Sequence, residues 1–162
     1  MRQIIERSVR LLQINDYTSE QREAALATIF RIDEWLIRDR TYFVAERGDT
    51  LLGFGAWSGR CASFEDDHPE TREILDPKTE PARIRAFFVD PEFARQGIAT
   101  ALLRHCEEAL QTAGYRSAHV IATVTGEPLY TTHGYSVIER YDIPTQFGRP
   151  FPVVSLEKRF TA

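Results

Sequence analysis

Residues 82–102 read ARIRAFFVDPEFARQGIATAL. A nearly continuous apolar run stops at Asp90-Pro91, and Gly97 then opens a stretch with apolar residues at 98, 102, 106, 109 and 110. That spacing predicts an amphipathic helix, and the run before it predicts a strand. A strand that hands over to a helix within a few residues commits the chain to a sheet covered by helices. The handover has two readings. It is a turn that needs Gly and close helix–sheet packing, or it is an anion site. A helix N-terminus carries unpaired N–H groups and a partial positive charge. Small residues such as Gly97 and Ala99 would let the backbone close around a pyrophosphate.

The rest of the chain supplies partners for that unit. SVRLLQI predicts a first strand. TSEQREAALATIF predicts a helix, with Thr18 three residues before Gln21 as a capping box. Apolar residues at 25, 26, 29 and 30, then at 32, 35 and 36, carry helical character to about Arg38. TYFVAE, the turn RGDT and LLGFGAWSG form a predicted hairpin, with Gly53 and Gly55 marking a bulge or a close backbone approach. Residues 60–81 read as a long loop, and positions 65–80 hold seven acids against Arg72 and Lys78. That loop is a solvated connection, or a wall attracting a cationic substrate. After the helix ending at Gly114 come a strand, RSAHVIATV, a short helix, EPLYTTHG, and two closing strands, YSVIERYDI and PVVSLEKRF.

At 162 residues the natural reading is one domain over 1–162. A net charge of -4 argues against a nucleic-acid partner. No apolar run reaches about 18 residues, so no membrane partner is expected. Charges scattered through MRQIIERSVRLL point to a cytoplasmic protein. Cys61 and Cys106 lack metal-ligand spacing, and Cys106 falls on the apolar helix face.

The run FFVDPEFARQGIATALL, followed by ATVTGEPLYTTHGYSV, resembles the GNAT superfamily of acyl-CoA N-acyltransferases. The superfamily's signature is Arg or Gln, two residues, Gly, one residue, then Gly or Ala, between the fourth strand and the third helix. Ala94-Arg95-Gln96-Gly97-Ile98-Ala99 matches at Gly97 and Ala99 and departs at Ala94. A Tyr-x-x-x-Gly-Tyr motif at Tyr130 follows. The resemblance implies an α/β (α+β) single-domain fold: a mixed, mostly antiparallel sheet of roughly six to seven strands flanked by about four helices.

It also implies roles. Arg95, Gln96, Gly97, Ile98, Ala99 and Thr100 would hold the pyrophosphate of acetyl-CoA. Phe87, Phe88 and Val89 would offer their backbone to pantetheine, which lies where the fourth and fifth strands splay apart. The Val89 N–H would face the thioester oxygen. Thr125 would touch the cofactor. Tyr130 would be the general acid toward the departing thiolate, the alternative being a ring packed on the cofactor. No metal is implied. Where some relatives place a Glu base, this chain has Arg83 and Arg85, which are not bases. Glu127 and His133 are nearby in sequence only. Trp57 would wall the acceptor cleft or fill the core, with Arg60 and His68 on the same side.

The expected activity is acetyl transfer from acetyl-CoA to a primary amine of a small molecule or a protein, without a covalent enzyme intermediate. A non-catalytic acyl-CoA sensor on the same fold is the alternative. A phosphate-loop nucleotide binder is disfavoured, because no G-x-x-x-x-G-K-[ST] occurs. The closing edge strand could support a homodimer.

Overall fold

The computed structural model describes residues 1–61, 72–145 and 148–161. Helices α1 (Arg2–Leu12), α2 (Ser19–Thr28) and α3 (Glu34–Arg38) precede the hairpin β1 (Tyr42–Arg47) and β2 (Thr50–Ser58). Next come β3 (Ala82–Val89), a 3-10 turn (Pro91–Phe93), α4 (Ile98–Thr112), β4 (Ser117–Thr123), α5 (Glu127–Thr132), β5 (Ser136–Ile143) and β6 (Phe151–Arg159). The six strands form one sheet in the order β1-β2-β3-β4-β6-β5. All pairs are antiparallel except β3 with β4.

The expected first strand, SVRLLQI, is instead the second half of α1 with Gln13 and Ile14 just past its end. A strand would place Val9 and Leu11 on one face. In the structure Val9 is fully buried while Leu11 is 55% exposed. Ile4, Ile5, Ser8 and Val9 are the buried residues of α1, one helical stripe. The sheet therefore has six strands, and β3 is the third in chain order. The other elements fall where the periodicity put them. The Thr18 hydroxyl accepts from the Gln21 N–H, and the Gln21 side chain accepts from the Thr18 N–H, completing the capping box.

Two layers of helix enclose the sheet. On one face Leu103, Cys106 and Leu110 of α4 and Tyr130 of α5 pack against Ala82, Ile84, Ala118, Val120, Val154 and Leu156. On the other, Ile4, Ile5 and Val9 of α1 meet Phe54 and Phe88, and Tyr17 and Ala25 meet Ile143, Phe151 and Val153. Among the described residues, no helix is long and apolar enough to cross a membrane.

A bulge in β3 shapes everything that follows. Phe54 pairs with Phe88, but Ala56 pairs with Arg85, so β3 holds one residue more than β2 across this interval. Ala86 takes the extra step at φ 56. The bulge inverts the strand's alternation: Ile84 and Phe87 both pack toward α4, while Phe88 joins the α1 cluster. Gly55 is required opposite it, because a Cβ there would lie 2.7 Å from the Phe87 ring.

Candidate active site

β3 and β4 pair only over Ala82–Ala118, Arg83–His119 and Ile84–Val120. Past the bulge they part, while β4 stays in register with β6 to Thr123. The parting opens a cavity of about 950 Å³, lined by β3 from Arg83 to Val89, by β4 from His119 to Thr123, and by residues of α1, α4 and α5. Backbone exposed on a parted strand needs other partners. The Asp90 N–H donates to Leu52 O, so Leu52–Asp90 is a hydrogen-bonded pair. Bonded and non-bonded pairs alternate along an antiparallel ladder. Val89, opposite Gly53, therefore turns its N–H away from β2, toward the gap.

At one end the gap meets the start of α4. Gly97 is its N-cap at φ 82, with no side-chain cap and no acidic residue in the first turn. The first helical bond is from the Ala101 N–H to Gly97 O, at 3.0 Å, which leaves the N–H groups before it without helical partners. Arg95, at φ 63, is a second left-handed residue in the same turn. Ala94, Arg95, Gly97, Ile98, Ala99 and Thr100 all line the cavity. Gln96 is exposed and is not among the lining residues. Thr18 of α2, Asp33 of α3 and Asp90 of the 3-10 turn each close their N-terminus by a side chain, whereas α1 and α5, like α4, have no side-chain cap.

Tyr130 lines the cavity from the α5 side, its ring edge-on to Phe87 and Tyr135 at 6.2 and 5.5 Å. Burial raises its hydroxyl above the ordinary phenol range, with nearby Cys106 adding to the shift. Tyr130 therefore holds its proton at neutral pH. Thr125 also lines the cavity and donates to Asp16 at 2.7 Å.

Around the acceptor side, expectation and structure diverge. Trp57 is not among the lining residues; it packs edge-on to Tyr115 in the α4-side core. Arg60 clamps Asp39 at 2.6 and 3.0 Å and stacks over Trp35. Both oxygens of Glu127 are engaged by Arg140, which holds its carboxyl low. His133 lines the cavity with Nδ1 at 2.7 Å from Leu129 O. A carbonyl only accepts, so Nδ1 carries the proton of that bond. His68 and much of the acidic loop lie outside the described residues. The described part of the loop is a turn, with Asp76 accepting from the Lys78 N–H and the Thr79 hydroxyl.

Several lining residues were not anticipated from sequence: Gln13, Arg31, Asp33 and His119. Asp33 Oδ2 accepts from Arg72 at 2.6 Å and from Arg85 at 3.0 Å, while Oδ1 accepts from the Trp35 N–H. His119 lies 2.7 Å from the Ser155 hydroxyl, and burial with the Arg83 charge pushes it down to about 4. Alternation along β3 could have grouped Arg83 with Arg85. No local pattern links either to Asp33.

No curated protein matches the chain significantly. Solved structures with the same fold include a GCN5-related N-acetyltransferase of Rhodopseudomonas palustris, at 18% identity and TM-score 0.73, covering 98% of this chain and 87% of that one. The paia N-acetyltransferase of Thermoplasma acidophilum, in complex with coenzyme A, matches at 16% identity and TM-score 0.66, covering 98% and 90%. The yncA protein of Salmonella typhimurium, with its cofactor acetyl-CoA, matches at 14% identity and TM-score 0.61, covering 99% and 88%. The family model described as the acetyltransferase (GNAT) family matches residues 7–135, which span both β3–α4 and the Tyr130 motif. The chain belongs to the acetyltransferase (GNAT) family.

Proposed function

We propose that the chain is an N-acetyltransferase that moves acetyl from acetyl-CoA to a primary amine by direct attack. The observation that carries this reading is the uncapped N-terminus of α4 at the mouth of the parted β3–β4 pair. N–H donors without carboxylate competition suit a pyrophosphate, and the strand edge beyond suits the amides of pantetheine. The Arg95–Thr100 turn would hold the phosphates, with Gln96 at its outer rim. Phe87, Phe88 and Val89 would supply strand backbone, and Thr125 a hydroxyl.

The nitrogen lone pair of the neutral amine attacks the thioester carbonyl, and the carbon–sulfur bond breaks. The Val89 N–H donates to the oxygen as charge builds on it. Tyr130 gives its proton to the departing sulfur, and the proton that the attacking nitrogen sheds returns through water to the Tyr130 oxygen. An alkyl thiol titrates near pH 8.5, so that proton transfer assists the step without being indispensable. Water in the cavity carries the ammonium proton away, because Glu127 is engaged and Arg83 and Arg85 are not bases. Holding amine and thioester together supplies much of the rate.

Calorimetric titration with acetyl-CoA, with ATP and NAD as controls, tests the binding half. Micromolar binding of acetyl-CoA alone is expected, and equal or absent binding of all three overturns the reading. An amine screen following CoA release tests the transfer half. Tight acetyl-CoA binding without any turnover would favour an acyl-CoA sensor instead.

A further inference from the structure

The cavity continues past the bulge toward the half of β3 that still pairs with β4. Ala82 and Ile84 face α4, so alternation turns Arg83 and Arg85 to the opposite face, toward α1–α3. Arg31, Asp33, Arg83, Arg85 and His119 line the cavity there. Asp33 is the sole acidic residue lining the cavity among the described residues, and it is already bonded to two guanidiniums, Arg72 and Arg85. Arg83 is partly buried, and its guanidinium has no hydrogen bond or ion pair with the described residues. Its cross-strand neighbour His119 is uncharged at neutral pH. Three guanidiniums, Arg31, Arg83 and Arg85, thus line this end beside one carboxylate that Arg72 also engages, and Arg83 keeps its donors.

These arginines are not part of the phosphate-holding turn. The strand from Arg83 to Val89 runs roughly 20 Å, and α4 begins beyond it. A partly buried, unpaired guanidinium is costly unless an anion meets it, and its fork matches a carboxylate in bidentate geometry. The same surroundings oppose a second ammonium, so diamines, polyamines and lysine-rich segments are poor fits.

We propose that this end of the cavity selects an acceptor amine that carries a carboxylate of its own, held by Arg83 beside the Asp33–Arg85 pair. The inference rests on the transferase reading and narrows its acceptor to amines whose carboxylate lies far from the nitrogen, because Arg83 and the Val89 N–H stand most of a strand apart.

The test is steady-state CoA release with matched acceptors: ω-amino acids of increasing chain length, each beside its carboxamide, with linear polyamines as a third set. At least one acid should exceed its amide in kcat/KM by roughly 10- to 100-fold, the worth of a charged hydrogen bond. In Arg83→Gln that preference should collapse through a raised KM for the acid. KM for the amide and affinity for acetyl-CoA should stay unchanged, and Arg83→Lys should restore part of the preference. Amides or polyamines used as well as the acids overturn the inference, as does a preference that survives Arg83→Gln. If acetyl-CoA binds and only amines without a carboxylate are acetylated, the inference fails while the transferase reading stands. If acetyl-CoA does not bind, both fail.

Discussion

The two ends of the cavity are built from different material. At the α4 end the groups on offer are backbone N–H, presented by a turn whose residues are contiguous, Arg95 to Thr100. At the β3–β4 end they are side chains drawn from distant segments: Asp33 with Arg72 and Arg85, and His119 with Ser155. Backbone donors come with the helix and have no side chain to lose. Side-chain charges must be gathered, desolvated and balanced against one another. The first end should therefore fail by losing its ligand, and the second by losing the fold or the choice of acceptor.

The largest contrast comes from Asp33→Asn. The amide can still cap α3, but it leaves Arg72 and Arg85 without their counter-charge in a site where the Asp33 side chain is only 12% exposed. Breaking one partner of such a pair should destabilise by about 3 to 5 kcal/mol, read as a fall in the urea midpoint. An unchanged midpoint would mean that the cluster is solvated. Gly97→Glu should act the other way. It sets a carboxylate at the uncapped N-terminus, so acetyl-CoA affinity should fall on the order of 1000-fold, because like charges brought together cost several kcal/mol. The fold should lose only about 1 kcal/mol, for a side chain at φ 82. Retained affinity would reduce the turn to a turn.

Tyr130→Phe sharpens the comparison at the centre of the cavity. It should lower kcat by roughly 10- to 1000-fold with little change in acetyl-CoA affinity. An unaltered kcat with weaker binding would make the ring a packing surface. A contrast in stability rather than in activity comes from the pH response of His119. Burial depresses its folded value to about 4, from about 6.5 in an unfolded chain. The unfolded chain therefore takes up the proton first on acidification. The contribution is complete above about pH 6.5 and is lost as pH falls toward 4. His119→Gln should flatten the melting temperature over that window, and an identical slope in both proteins would assign the acid sensitivity elsewhere.

Much of the frame was legible before any coordinates. The apolar run ARIRAFFV, the helical period after Gly97 and the Thr18–Gln21 box are each local, and the strand, the helix and the box each stand in the structure. SVRLLQI misled because a short apolar segment satisfies both periods; only the packing of Ile4, Ile5 and Val9 against Phe54 and Phe88 decides for the helix. Trp57 was ambiguous for a related reason. A strand residue faces one side or the other, and the register of β2 against β3 assigns it to the Tyr115 core.

The sequence by itself determined the strand–turn–helix unit with its uncapped, glycine-opened N-terminus, because backbone conformation and hydrophobic period depend on neighbours a few residues away. The tertiary structure alone decided where β3 and β4 part, and that Asp33 meets Arg85 across 52 positions of chain. Those outcomes depend on the bulge at Ala86, on the helices packed above it, and on charges that interact through space rather than along the chain.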